Sequence, residues 1–406
     1  MQLIDTPVQI ALEEKYGAHN YHPLPVVLSR GSGVYVWDTE GKKYLDFLSG
    51  YSALNQGHCH PTIIEALTKQ AQQLTLTSRA FYNDRLGPYE KFLCSYFGYD
   101  KLLPMNTGVE GVETAIKLCR KWAYQHKNIP ENQALVVVCN GNFHGRTSTV
   151  ISFSSDPDSK HQFGPYMPGF LTIPYDNIEA LKEALQHPYV AGFLVEPIQG
   201  EAGVVVPTDG YLRGAWEACQ EAHVLFMADE IQTGLGRTGA RLACDHENVR
   251  PDILILGKAL SGGTIPVSAV LADDEIMLVI QPGQHGSTYG GNPLACAVAE
   301  ASINVLEKEK MAANALKMGA RFRNGIEKLN SRHIGLVRGK GLMNAIVIDH
   351  TDSEAAWQFC IEMMHQGLLA KPTHGDKIRF APPLIITETQ IEEALSIIEK
   401  SLAILD

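Results

Sequence analysis

The sequence predicts an α/β fold, with a mostly parallel sheet flanked by helices in a large domain and a smaller α+β domain after it. Three observations carry this. From about residue 61 to 300, short apolar runs alternate with helical patterns, the habit of strand-helix-strand units. From about residue 312 the texture changes to helix, strands and helix. A chain of 406 residues also exceeds what one ordinary core holds. The expected division is an amino-terminal segment, residues 1–50, packing with the small domain, then a large domain over 51–311 and a small carboxyl-terminal domain over 312–406.

Residues 109–125 begin directly after Asn106-Thr107-Gly108 and put Val112, Ile116, Cys119 and Ala123 on one helical stripe. Four later runs are nearly all apolar, as strands buried on both faces must be. They are Ala134 to Cys139, Gly192 to Glu196, Val224 to Ala228 and Ile253 to Leu256. Each ends near a polar cluster. Ligands of open α/β sheets sit beyond the carboxyl ends of the strands, so the residues after these runs are where chemistry is expected. Beyond residue 312, the segments Val337 to Ile348, Asp352 to Gln366 and Thr387 to Leu405 carry the mixed pattern of the smaller domain. No internal repeat, low-complexity tract or long linker interrupts the chain.

Composition narrows the function. An apolar fraction of 45% with 19% charged residues supplies a sizeable core and argues against disorder. With 45 acidic against 34 basic residues the net charge is -11, which disfavours nonspecific attraction to nucleic acid or an anionic membrane. A few local arginines can still bind an anionic substrate. The eight cysteines lack C-x-x-C spacing, so neither a zinc site nor a compact disulfide framework is suggested, and reduced thiols are expected. The amino terminus has no apolar signal core or arginine-rich transit pattern, and no apolar run approaches membrane-spanning length. A cytoplasmic location is therefore expected.

An acid and a lysine emerge at the ends of neighbouring strands. The run to Ala228 leads into Asp229-Glu-Ile-Gln232-Thr-Gly234, and the run to Leu256 into Gly257-Lys258-Ala-Leu-Ser-Gly-Gly263. That pairing suits pyridoxal phosphate. A lysine amine condenses with its aldehyde, while a carboxylate keeps the pyridine nitrogen protonated so that the ring withdraws electrons from a carbanion. Asn106-Thr107-Gly108-Val109 opens a helix whose free N–H groups and dipole favour a phosphate dianion. After residues 134–139, Phe143 in Gly141-Asn-Phe-His-Gly-Arg146 can put a ring against the pyridine. Two other patterns are weighed and set aside. Gly234-x-Gly236-x-x-Gly239 matches a dinucleotide fingerprint, but five residues separate it from the strand and no apolar helix follows. His58-Cys59-His60 lacks a second pair of metal ligands and reads as a turn before Pro61.

These residues resemble the class III, fold-type I pyridoxal-phosphate aminotransferases, and within them the branch that acts on the δ-amine of ornithine. The resemblance runs from Tyr16 nearly to the carboxyl end. It is carried by Y-G-A-H-N-Y-H-P-L-P (16–25), N-T-G-V-E (106–110), V-E-P-I-Q-G-E-A-G-V (195–204), D-E-I-Q-T-G (229–234), G-K-A-L-S-G-G (257–263), H-G-S-T-Y-G-G-N-P-L (285–294) and K-P-T-H-G-D-K-I-R-F-A-P-P-L (371–384). It implies a Schiff base at Lys258, Asp229 at the pyridinium nitrogen, Gln232 near the phenolic oxygen, Phe143 stacked on the ring, and Gly108 and Val109 at the phosphate. It also implies a homodimer with shared active sites, because Ser287 and Thr288 would reach the neighbouring subunit's phosphate.

For the substrates, ornithine, 2-oxoglutarate and glutamate, the resemblance makes Tyr21 and Arg146 the holders of the α-amino and α-carboxylate groups, with Tyr51 shaping the pocket. Arginine supplies a planar fork for that carboxylate. Glu201 and Arg379 resemble a switch pair: a neutralised Arg379 ignores ornithine's α-carboxylate, and a released one binds 2-oxoglutarate. One departure is His144, which stands where animal members carry tryptophan and is expected to alter only the pocket wall. The absence of their transit segment points again to the cytosol. Transaminases of 4-aminobutyrate or N-acetylornithine, and a non-catalytic protein on the same fold, are the alternatives. Tyr21 and Tyr51 argue against the first two, and the complete set of Lys258, Asp229, Gln232 and Arg146 against the third.

Overall fold

Seven strands form the central sheet, in the order Lys101–Met105, Ser268–Ala272, Ile253–Leu256, Leu225–Asp229, Val190–Val195, Leu135–Cys139 and Phe170–Ile173. This is a computed structural model, and it describes residues 6–406. The first five residues of the expected amino-terminal segment lie outside the described residues. Five neighbouring strands run parallel, and Ser268–Ala272 is antiparallel to both its partners. The reason is chain length. Parallel return needs a crossover of a dozen or more residues, and residues 257–267 carry only the single turn Lys258–Ser261. The chain therefore folds straight back.

Each of the four runs read as buried strands is one. Ile253–Leu256 and Leu225–Asp229 are buried along their whole length, because helices cover both faces of the sheet. On one face lies the helix Gly108–His126, whose Val112, Ile116 and Cys119 pack against Val136, Val138 and Ile255. On the other lie Ile178–Leu185 and Tyr211–Glu221, packed through Leu181, Leu212 and Ala215. Parallel strands point their carboxyl ends the same way, so the segments after Cys139, Val195, Asp229 and Leu256 share one rim.

Beyond the helices Pro293–Lys308 and Met311–Lys328, the chain builds a four-stranded antiparallel sheet in the order Ile334–Lys340, Met343–Ile348, Lys377–Phe380 and Lys371–Thr373. The helices Ala355–Gln366 and Glu388–Ser401 accompany it, the second started by a reciprocal cap between Thr387 and Gln390. The amino-terminal strands Leu28–Ser32, Tyr35–Asp38 and Lys43–Asp46 make a third sheet, completed by Leu368–Leu369 parallel to Lys43–Asp46. Residues more than 300 apart in sequence thus share a ladder.

Arg237 joins these layers. It is fully buried and donates to the Asn55 side chain at 2.6 Å and to the carbonyls of Leu342 at 2.9 Å and Pro382 at 2.6 Å. Burial pulls its guanidinium down to about 9. Neutral acceptors, with the charge of Asp46 nearby, offset its desolvation, and the acceptors tie the loop after Asp229 to the carboxyl-terminal sheet.

Candidate active site

A cavity of about 250 Å³ opens at the shared rim of the parallel strands. Gly108, Val109, Phe143, Asp229, Gln232 and Lys258, six of the expected residues, line it together with His144, Gly145, Glu196, Ile231 and Thr233. Its floor is the start of the helix Gly108–His126. Thr107 caps that helix and Glu110 answers it, both halves of a capping box being present. The N–H groups of Gly108 and Val109 belong to the first turn and have no carbonyl four residues back. A Cβ at Gly108 would lie 2.9 Å from Ile231 Cδ1, so a side chain there would displace Ile231. At Gly145, with φ +125°, a Cβ would lie 2.5 Å from Val109 Cγ2, so the backbone carrying Phe143 approaches the helix start closely.

The segment carrying Phe143 is pinned on both sides. Asn142 donates to the carbonyl of Cys139 at 2.6 Å, and the Phe143 N–H donates to Glu196 Oε1 at 2.8 Å. Asp229 is the last residue of its strand and pairs in register with Ile255, which brings Lys258 to the adjoining strand end. Asp229 Oδ1 accepts from the Ile231 N–H at 3.1 Å, and its Oδ2 lies 2.6 Å from His144 Nδ1. His144 is thus not a mere wall residue. It is the buried partner of the carboxylate, a role the sequence comparison with animal members did not suggest.

Three buried groups have displaced titrations. Burial works against a charged His144, but the hydrogen bond and charge of Asp229 outweigh it, and the net shift is upward. Burial pushes Glu196 up to about 7, with His144 lowering it and Asp229 raising it. Burial also lowers Lys258, against the pull of Asp229, Glu201 and Glu196, so its amine is held below the ordinary lysine range. Its backbone sits at φ +43°, a conformation that a side-chain-bearing residue adopts only when its surroundings impose it.

The site fits pyridoxal phosphate. Free helix-start N–H groups suit a dianion, Phe143 offers a ring face, and Lys258 offers an activated amine. The carboxylate of Asp229 has lone pairs left for a pyridinium N–H after its two existing bonds. His144 Nε2, buried beside them, has no hydrogen-bond partner among the described residues.

Around the mouth, Arg379 Nη1 donates to Glu201 Oε1 at 2.8 Å, with side-chain exposures of 7% and 24%. The Arg379 guanidinium lies 4.9 Å from the centre of the Tyr51 ring, and the Tyr51 carbonyl accepts from Gln232 at 3.3 Å. Burial raises the Tyr51 hydroxyl, Arg379 lowers it, and Glu201 and Tyr21 raise it, so these four groups share one neighbourhood. Tyr21 is itself exposed. Arg146 is exposed beside Phe143, 5.4 Å from its ring centre, and does not line the cavity. Neither Ser287 nor Thr288 does so. Ser287 Oγ accepts from Asn106 at 2.8 Å, and Thr288 lies exposed.

Sequence reasoning missed Glu196, Gly145, Ile231 and Thr233, although Glu196 stands at one of the strand ends singled out. Of the two patterns set aside, Gly234 to Gly239 forms a loop with Gly236 at φ +87° and Gly239 at φ +94°, followed by a short turn of 3-10 helix. His58 bonds Asp46 at 2.7 Å and His60 bonds Glu309 at 2.9 Å, in the turn that leads into the helix Pro61–Ala71.

Residues 16–402 match the family model described as Aminotransferase class-III. A mitochondrial ornithine aminotransferase of Drosophila melanogaster is 61% identical over 392 residues, 97% of this chain and 90% of the relative. Among solved structures, the ornithine aminotransferase of Toxoplasma gondii, reported with partial occupancy of PLP at its active site, superposes with a TM-score of 0.98. It is 49% identical and covers 100% of this chain and 95% of its own. A structure from Elizabethkingia anophelis named acetylornithine aminotransferase is 56% identical at TM-score 0.91, covering 98% and 99% of the two chains. Matched over nearly its whole length and built around a site that fits pyridoxal phosphate, the chain belongs to the class III aminotransferases.

Proposed function

We propose that the chain transfers the δ-amino group of L-ornithine to 2-oxoglutarate, giving glutamate and glutamate 5-semialdehyde, which cyclises to pyrroline-5-carboxylate. The observation that carries this reading is the ion pair of Glu201 with Arg379 beside Tyr51 at the cavity mouth. A cavity with a free arginine there would seize any α-carboxylate and present the α-amine. With Arg379 neutralised, ornithine's carboxylate goes to Arg146 and only its far amine reaches the reacting carbon. Opening of the pair then admits 2-oxoglutarate or glutamate through Arg379. The Drosophila and Toxoplasma relatives carry the same activity in their names.

N-acetylornithine fits this mouth less well. Acetylation removes the charge of the α-ammonium and adds bulk, where Tyr21 and Tyr51 offer phenol oxygens to a charged donor.

Bound pyridoxal phosphate supplies the electron sink for a carbanion at the amine-bearing carbon. In our reading Gly108 and Val109 hold its phosphate, Phe143 covers one ring face, Gln232 meets the phenolic oxygen and Asp229 the ring nitrogen. His144 fixes the carboxylate of Asp229 from behind. Lys258 Nζ, lowered by burial, carries the attachment and afterwards moves the proton between substrate and cofactor carbons. Both half-reactions use one cavity, so ping-pong kinetics are expected.

The same reading makes the chain a homodimer, in which Ser287 and Thr288 of one subunit reach the phosphate held by the other. Thr288 is exposed, as are Tyr289 at 59%, Phe81 at 75% and Tyr82 at 105%. That much uncovered aromatic surface favours a partner. The expected division at residues 50/51 and 311/312 remains part of the proposal. So does a cytoplasmic location; eight free cysteines, six of them buried, fit a reducing compartment. Among the described residues no helix is long and apolar enough to cross a membrane.

The test is to add single amines to the cofactor-loaded protein and follow its visible absorbance. Ornithine should bleach it at least about tenfold faster than N-acetylornithine or 4-aminobutyrate, the scale on which a pocket separates substrates that differ by one small group. Equal or faster bleaching by either rival overturns the assignment.

A further inference from the structure

Glu201 stands on a tight loop whose backbone is gripped from outside. Gln199 and Val205 pair across its base, donating to each other at 3.1 and 2.9 Å. The turn between them runs through Gly203 at φ +93° and Val204 at φ +58°. A β-branched residue in the left-handed region is an outlier that persists only where surrounding contacts impose it.

Those contacts come from the carboxyl-terminal sheet. Arg338 Nε donates to the carbonyl of Gly203 at 2.7 Å and its Nη2 to that of Ala202 at 3.4 Å. Thr373 Oγ1 donates to the carbonyl of Glu201 itself at 2.9 Å. Three consecutive carbonyls are therefore held by two side chains. Their strands, Ile334–Lys340 and Lys371–Thr373, are the two opposite edges of that sheet. Register explains how both edges reach one loop. Arg338 pairs with Ala345, Ala345 with Arg379, and Arg379 with Lys371, so Arg338 and Arg379 stand in one row across a single face. Thr373 follows Lys371 by two residues and shares that face. Ala345, between the two arginines, is too small to block either.

We propose that Arg338 and Thr373 are positioning residues for selectivity: by fixing the Glu201 backbone they set how readily the Glu201–Arg379 pair opens, and hence the balance between the two kinds of amino donor. This rests on the reading of that pair as the substrate switch. With the loop fixed, opening requires only rotation of the Glu201 side chain, and closing needs no search. A released loop lets Glu201 drift from Arg379, leaving the arginine free for α-carboxylates.

The experiment measures single-turnover rates of the cofactor-loaded protein with glutamate and with ornithine, separately. It is run on Thr373→Val, which keeps the shape and removes the donor, on Arg338→Met, which keeps the stem, on Glu201→Ala, and on Arg338→Met/Glu201→Ala. The glutamate-to-ornithine ratio should rise about fivefold in Thr373→Val, the effect of one lost hydrogen bond, and at least as much in Arg338→Met. In the Glu201→Ala background, Arg338→Met should add nothing further, because it acts only through Glu201. General loosening of the fold would instead slow both donors alike and add to Glu201→Ala. An unchanged ratio in both single variants, with Glu201→Ala still shifting it, overturns the clamp and leaves the switch. An unchanged ratio in Glu201→Ala removes the switch reading and the clamp with it.

Discussion

Replacing His144 with phenylalanine keeps an aromatic ring in the buried site and removes the partner of Asp229. The pair is enclosed, with side-chain exposures of 0% and 5% at 2.6 Å, so solvent screening gives little relief. Among the described residues Asp229 would retain the Ile231 N–H as its hydrogen-bond donor. Near pH 6.5 the loss should cost about 3–5 kcal/mol, the range for removing one member of a buried ion pair. The pH dependence has a definite sign. Asp229 raises His144 above its ordinary value of about 6.5. The charged histidine's contribution is therefore complete below that value and is lost as pH rises through the folded-state pKa. Above it a neutral imidazole still donates to a carboxylate, worth about 1.5–3 kcal/mol. Denaturant unfolding of parent and variant at fixed protein and cofactor concentration, from pH 6.5 to 9, should show the stability gap narrowing but not closing. Both half-reactions should slow together, since both depend on the orientation of Asp229. A gap that stays constant or widens with pH, or a defect confined to one half-reaction, refutes the pairing.

Other substitutions bear on neighbouring groups. Glu196→Gln keeps an acceptor for the Phe143 N–H and removes a carboxyl that burial holds up at about 7. Because the folded pKa is raised, the cost of the carboxyl accumulates as pH climbs from the ordinary carboxylate range to about 7 and is complete above it; the variant should melt higher than the parent at pH 8 and match it at pH 4.5, and equal melting at both would refute this. Lys258→Ala should abolish multiple turnover while equilibrium dialysis still finds cofactor bound through its phosphate; retained turnover removes the lysine from its role. Arg146→Ala should raise the KM for ornithine about tenfold or more, the loss of a charge-assisted pair, with the visible spectrum of the resting protein unchanged. An altered resting spectrum would move Arg146 into the cofactor's surroundings. Glu201→Ala should speed the glutamate half-reaction and reduce the preference for ornithine, and separate single-turnover measurements of the two decide it.

The parts of this protein readable from sequence are those set by local pattern. Strands buried on both faces leave unbroken apolar runs, and the runs ending near Ala228 and Leu256 put Asp229 and Lys258 at one rim before any contact was known. The helix start after Asn106 was readable too, although its cap was not. What escaped depends on distant pairing. His144 meets a carboxylate 85 residues away, and Glu201 meets Arg379 across 178. Nothing in either local sequence names the partner. Family resemblance supplied the second pair but misled on the first, because tryptophan at position 144 in animal members concealed an ionic contact. Arg237 lies in the glycine-rich stretch weighed as a dinucleotide fingerprint, and it is fully buried on neutral acceptors from three remote segments. The antiparallel strand Ser268–Ala272 was also unread, since direction depends on the length of the connection and not on the strand's residues.

The central claim is that the amine leaving ornithine is the distal one. Ornithine labelled with nitrogen-15 at the δ position, incubated with the protein and 2-oxoglutarate, should yield glutamate carrying the label, and α-labelled ornithine should yield unlabelled glutamate. Mass spectrometry of the glutamate reads both. Label arriving from the α position instead would contradict the account, because it would mean that Arg379 had taken ornithine's carboxylate while paired with Glu201.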